Sequence, residues 1–241
     1  MIERIKVDEH TTKQALIDEA RQILPKLSTS AIAILAFLAF TKLILLRNRR
    51  EFIEKIKSLT PLVIELGTPA ILDIAYLEQV RCGQSLSFVS SFKDFAETMS
   101  ETYSPVFTHP ITLDQFNQIS GELGLNQHSP QLIMSIHSLF ETKGSLMTLN
   151  FSSLSEDMFK NNKKEIVDVL HPFVEKMTKY TKEEVEQFFL ALDTQWQSVI
   201  DLFKRKDIKS FMLSPVGCYI GTRKLCKVLG EDIPIELFFK S

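Results

Sequence analysis

Glycine and proline are scarce in this chain, 8 and 9 among 241 residues. A sandwich or barrel spends many of both on turns, so their scarcity favours helices. There are three cysteines, Cys82, Cys218 and Cys226. That odd number, at these spacings, fits neither a disulfide framework nor a metal motif. Cys218 and Cys226 on one helix would stand roughly 12 Å apart, too far for a disulfide. All three are therefore expected to be reduced, in a cytoplasmic protein. The net charge of −2 gives the whole molecule no electrostatic footprint for nucleic acid. The N-terminus, Met-Ile-Glu-Arg-Ile-Lys, carries mixed charge with no apolar stretch directly behind it, which predicts no signal peptide.

Long apolar runs are also lacking, with one near exception. Ser30 to Leu46 is apolar but for Lys42 and is followed by Arg47, Arg49 and Arg50. A span needs about 20 such residues, so length and Lys42 favour a central helix buried on all sides over a membrane segment. No Ser-His-Asp or Cys-His arrangement, Walker A loop or dinucleotide fingerprint occurs. No catalytic residue, cofactor or metal ligand is assigned.

What the chain does have is hydrophobic residues at 44% and helix-start signals throughout. Thr11 with Gln14, Thr112 with Gln115, Ser153 with Glu156 and Thr181 with Glu184 have capping-box spacing. Thr60, Thr68, Ser129 and Ser214 each precede a proline, as at a capped helix start. These signals predict an all-α protein. Helices are expected over 12–24, 28–46, 49–59, 68–81, 92–103, 112–123, 129–142, 155–171 (interrupted at Pro172), 181–204 and 213–229. The 181–204 helix keeps an apolar face from Val185 to Phe203. The segment 83–110 is less regular. An N-terminal helical bundle is expected over 1–110 and a C-terminal domain over 111–241, the latter with long helices across 155–230.

Within 112–151 the order is helix, turn, helix and then an alternating strand, Ser145 to Phe151. That is the order of a small winged-helix-like unit, whose second helix would enter the major groove. The second helix offers Gln131, Ser135 and His137, with no arginine or lysine before Lys143, which suits a packing or protein-binding role better than base readout. Lys204, Arg205, Lys206 and Lys209 cluster where a helix ends. Cations are favoured there for local reasons, and a patch for nucleic acid or an acidic partner is the alternative. His137 with Glu141 and His171 with Glu175 have i,i+4 spacing, as a metal site between two helices could use. Surface helix pairs explain both more simply. Arg4 with His10 has the spacing of the Arg-x-His pair of small helical ribonucleases, but it falls in a frayed N-terminal arm.

The most informative stretch is Leu213 to Gly221, Leu-Ser-Pro-Val-Gly-Cys-Tyr-Ile-Gly. Ser214 can cap and Pro215 suits the first helical position. Gly217 and Gly221 then share a face, and a helix accepts glycine, at about 1 kcal/mol each, where another backbone passes very close. That backbone is either in the same molecule or across a dimer seam. Cys218, near a helix start, reads as a small core residue beside the pair rather than a stabilised thiolate.

This element, with the later Pro234-Ile-Glu-Leu-Phe238, resembles the C-terminus of a family of uncharacterised bacterial all-helical proteins. Those carry Leu-Ser/Thr-x-Val-Gly-x-x-Ile-Gly/Ala there, and a related element ends the abortive-infection alpha-type proteins. Ile23 to Ser28, leading into an apolar helix, is similar to the front end of many members. Phe238 stands where the family usually has tryptophan. The resemblance implies an all-helical protein without established chemistry, sometimes tied to phage defence, and it transfers no catalytic residue. The expectation is a non-enzymatic interaction or assembly module, acting through a protein partner or self-association. A nucleic-acid-binding regulator and a helical nuclease or metal enzyme are the alternatives.

Overall fold

The computed structural model describes residues 9–43, 49–67, 71–86, 93–104, 106–149 and 168–230. In chain order they form helices α1 (Glu9–Ile23), α2 (Thr29–Leu43), α3 (Arg49–Ser58), α4 (Thr60–Leu66) and α5 (Ile71–Gln79), then strand β1 (Gly83–Ser85). Helix α6 (Phe95–Thr102), strand β2 (Ile111–Thr112), helices α7 (Leu113–Glu122) and α8 (Pro130–Ser138) and strands β3 (Phe140–Lys143) and β4 (Leu146–Leu149) follow. The chain continues through α9 (168–176), α10 (Lys182–Leu192), α11 (Gln197–Lys204), α12 (Lys206–Lys209), β5 (Phe211–Leu213) and α13 (Pro215–Leu229). The protein is predominantly helical, with small antiparallel sheets.

Two compact units share these elements. One takes Met1–Ile44, Ser58–Phe95 and Phe189–Ser241, the other Leu45–Lys57 and Ala96–Phe188. Each is thus assembled from separated stretches of chain, whereas the sequence reading divides the chain once, at 110/111.

In the first unit α2 is central. Ala31 and every residue from Ala33 to Thr41 are buried. Among the described residues no helix is long and apolar enough to cross a membrane. The apolar run is instead sheathed by protein, chiefly by α13 and α4. Its start is fixed by Ser28, whose hydroxyl accepts from the Ala31 amide at 3.0 Å, and by Asp73, which takes the Ser28 and Ser30 hydroxyls at 3.3 Å each.

Trp196 anchors the rest of this core, with Phe189 at 5.0 Å, Phe37 at 5.8 Å and Phe95 at 6.0 Å between ring centroids. The single long helix expected over 181–204 is broken here. Asp193 leaves helical geometry (φ −163°) and its carboxylate accepts from the Gln195 amide, so a 3-10 turn over Thr194–Trp196 separates α10 from α11. An aspartate that bonds a nearby amide competes with the helix ladder, and here it wins. β1 and β5 pair antiparallel, Gly83 opposite Leu213, inside or beside stretches expected to be irregular or helical.

In the second unit the expected helix pair is α7 and α8. Thr112 and Gln115 make both bonds of the capping box, at 3.2 and 2.9 Å. Ser129 caps α8 by accepting from the Leu132 amide. The helix expected over 129–142 is shorter, ending at Ser138. Phe140–Lys143 turns into β3 and pairs with β4 across a Gly144-Ser145 turn, glycine taking φ +64° as such hairpins require. The three-stranded sheet has the order β2-β4-β3.

Phe116 holds this subdomain together, meeting Phe140 and Phe173 at 5.2 Å each. Phe173 belongs to α9, which runs through Pro172 instead of stopping there. Val169, Leu170, Phe173 and Val174 are all buried in the Phe116 cluster, enough to offset the roughly 3 kcal/mol an internal proline costs. A separate aromatic group gathers Phe52, Tyr103, Phe107 and Phe188.

Two expected starts differ: Thr11 lies inside α1, and Thr60 follows the capping position Leu59 without a side-chain cap bond. The starts expected at Thr68 and Ser153 lie outside the described residues. Trp196→Ala should cost about 3–5 kcal/mol, read as a lowered urea midpoint; a loss below about 1 kcal/mol would mean the aromatic core is not centred on it.

Candidate functional site

The glycine element forms a seam inside the first unit. The Ser214 hydroxyl accepts from the Gly217 amide at 3.1 Å, capping α13, and donates to the Arg81 carbonyl at 2.7 Å. The Ser214 amide donates to the Cys82 carbonyl at 3.0 Å. A Cβ at Gly217 would overlap the Cys82 carbonyl, whose carbon would lie 2.8 Å away. A Cβ at Gly221 would overlap the Leu35 carbonyl of α2, with its carbon at 2.7 Å. Both glycines therefore face backbone of their own chain, the intramolecular of the two arrangements that the sequence allows.

The turn that presents Cys82 to Gly217 is unusual. The Cys82 amide bonds the Leu77 carbonyl at 2.8 Å and the Arg81 amide bonds the Glu78 carbonyl at 2.9 Å. This is a Schellman ending for α5, with Arg81 at φ +63° where glycine is the common choice. Left-handed geometry costs a non-glycine residue about 1–2 kcal/mol, which the seam must offset. Nothing in the sequence around Arg81 announces it. Next to it, Gly83 leaves room for the Phe211 ring.

Burial, with the Glu19 charge, pushes the Cys82 thiol up to about 11, so it stays protonated near neutrality. No described cysteine is in a disulfide. Lys224 Nζ lies 2.5 Å from Glu65 Oε2, an ion pair linking α13 to α4.

The basic cluster is less open than its sequence suggests. Arg205 grips Asp207 with two bonds, at 3.0 and 2.6 Å. Partial burial raises the Asp207 carboxyl, but the Arg205 bonds and charge and the Ile208 amide outweigh it and hold the group below its ordinary value. Arg205 and Asp207 together form the corner between α11 and α12. Lys204 and Lys206 are exposed and Lys209 is half-buried. The cluster belongs to the first unit, the α7–α8 pair to the second.

One of the two paired His/Glu spacings dissolves in the fold, while His171 and Glu175 both stay on α9. His137 sits on α8 and Glu141 on β3, so they share no helix face. Glu175 of α9 accepts from Lys179 at 3.1 Å. Among the described residues no group of three or more His, Cys, Asp or Glu gathers as metal ligands would. Arg4 and the side chain of His10 lie outside what is described. Sequence reasoning missed a different pair, His109 with Glu184, at 3.3 Å. Glu184 also takes the Thr181 amide at 2.8 Å and caps α10; that backbone bond first, and His109 after it, keep its carboxyl low.

On α7 and α8 the exposed residues are the informative ones. Leu132, Ile136 and Leu139 point into the core, while Met134 is 71% exposed with His137 one turn on. Leu113, at the start of α7, is 53% exposed. The Phe116 ring meets the His137 ring at 5.4 Å, which ties the first half of α7 to the end of α8.

These features define a predominantly helical protein in which many of the described polar contacts serve caps and packing. A protein-family model matches residues 1–239. The chain belongs to that family, which is uncharacterised. No curated protein and no solved structure matches the chain.

Gly217→Ala and Gly221→Ala should each lower stability by about 1–3 kcal/mol or more, because backbone cannot yield as a side chain does. Gly121→Ala, in α7 with open space around it, should raise stability by about 0.5–1 kcal/mol. Thermal melts of the three variants separate the two kinds of glycine. Asp207→Asn should cost below about 1 kcal/mol at neutral pH, since the pair is partly solvated. A lowered folded-state pKa places this contribution above the unfolded value. The difference from the parent should therefore shrink as pH falls through the depressed Asp207 pKa, in urea titrations across the acid range.

Proposed function

We propose that the protein is a non-enzymatic interaction or assembly module that works on a protein partner or a second copy of itself. The contact surface is the outward side of α8, within a winged-helix-like unit formed by β2, α7, α8, β3 and β4. The supporting observation is Met134, a large apolar side chain 71% exposed on the helix that such units use for recognition. Neither α7 nor α8 carries a lysine or arginine. Contacts to phosphate and guanine rely on those residues, while an adaptable thioether suits a protein surface. The resemblance of Leu213 to Gly221 to the end of abortive-infection alpha-type proteins favours a setting in bacterial anti-phage defence, in the cytoplasm.

A nucleic-acid regulator is the second reading. The helix-helix-strand order with the β2-β4-β3 sheet supports it, and Lys204, Lys206 and Lys209 of the first unit are a separate candidate patch for phosphate. Light scattering on protein isolated from native extract separates the two. The interaction reading expects a discrete oligomer, or one stoichiometric companion, that Met134→Arg dissolves. A monomer that binds duplex DNA at low salt and releases it at high salt would overturn it.

A further inference from the structure

We infer that two copies of this chain pair edge to edge along β3, joining their small sheets into one across a twofold axis. The inference goes beyond the α8 surface proposed above and is tested apart from it. β4 is the middle strand of its sheet, so one side of β3 has no neighbouring strand. The hairpin register fixes what that side shows. β3 and β4 are joined by two residues, with Gly144 first at φ +64°, and such a turn closes on a hydrogen-bonded pair, Lys143 with Leu146. Bonded and non-bonded pairs alternate along an antiparallel ladder. The backbone groups of Glu141 and Lys143 therefore face β4, and the Thr142 amide and carbonyl face away from it. The other side of β4 agrees: Thr112, opposite Leu146, donates its amide to Gln115 and not to the ladder. No described residue bonds the Thr142 backbone, and Glu141, Thr142 and Lys143 are all exposed.

An edge of this kind is a template for a further strand. Charges of one sign would make it repel its own copy, but Glu141-Thr142-Lys143 is self-complementary. Antiparallel pairing of two β3 strands centred on Thr142 bonds each Thr142 backbone to the other. It also sets Glu141 of each copy directly opposite Lys143 of the other, two opposite-charge pairs on one face of the joined sheet. Within one strand these side chains already share that face, with Lys143 Nζ 3.6 Å from Glu141 Oε1. Sliding the pairing by two residues would put glutamate opposite glutamate or lysine opposite lysine, so charge selects the register as well. Leu146, paired with Lys143 and 44% exposed, adds apolar area to the same face. The contact is isologous and closes at two copies. Because it is one short strand, the dimer should be weak and concentration-dependent.

Sedimentation equilibrium of the full chain over a rising concentration series reads the dimer. The parent should dimerise, less so as salt rises. Thr142→Pro removes the outward amide, a change that an edge strand tolerates, and should weaken the dimer about tenfold, about 1.4 kcal/mol. Glu141→Lys sets lysine opposite lysine and should weaken it about as much. Adding Lys143→Glu to Glu141→Lys puts opposite charges back across the seam and should restore the dimer, whatever Thr142→Pro does to the hairpin. Met134→Arg should leave the dimer intact. A parent that stays monomeric throughout, a dimer indifferent to Thr142→Pro and Glu141→Lys, or a double variant that stays dissociated overturns the inference. A dimer lost through Met134→Arg and kept by Thr142→Pro assigns self-association to α8; the edge pairing then falls and the reading of α8 stands.

Discussion

The first unit depends on one constraint: α13 must touch other backbone without side chains between. Gly217 lies on the Cys82 carbonyl and Gly221 on the Leu35 carbonyl, so the separation is set by peptide groups. Each glycine weakens α13 taken alone by about 1 kcal/mol, and Arg81 adds its own left-handed cost. The return is close packing along α2, where Ala31, Ala33, Ala36 and Ala39 are fully buried beside Leu35 and Phe37. Contacts at this range gather many small dispersion terms and exclude water from an apolar helix that could not stand exposed. Ser214 secures the arrangement, because one hydroxyl caps α13 and bonds the Arg81 carbonyl at the end of α5. β1 and β5 extend from the two sides of that junction.

The second unit is built more locally. Thr112, Ser129 and Thr181 start helices with their own side chains, and Gly144 turns a short hairpin. Phe116, Phe140 and Phe173 then close the α7–α8 pair against the sheet and α9. With the inward positions filled by Leu132, Ile136 and Leu139, Met134 and His137 stand exposed on α8.

Much of the architecture was legible in the chain. Scarce glycine and proline, the capping pairs and the 3-4 apolar spacing gave the helical class, and the boundaries of α2, α3, α7 and α13 fall within a few residues of expectation. Errors came where a local preference met a competing one. Asp193 broke an apolar face that was continuous in sequence, Pro172 was carried through a helix by its buried neighbours, and Phe140 left α8 to join a hairpin. The His137/Glu141 spacing failed for the same reason, since i,i+4 counts only while both residues stay on one helix.

The sequence by itself determined the starts of α7, α8, α10 and α13, the glycine spacing on α13, the apolar character of α2 and the lack of cations on α7 and α8. Each follows from residue type and short-range spacing, which the chain states directly. Only the tertiary structure decided what fills the glycine face, which separated stretches join in each unit, that Arg205 is held by Asp207, and that Met134 points outward. Those depend on backbone segments far apart in the chain arriving at one place, and no local rule specifies the partner that arrives.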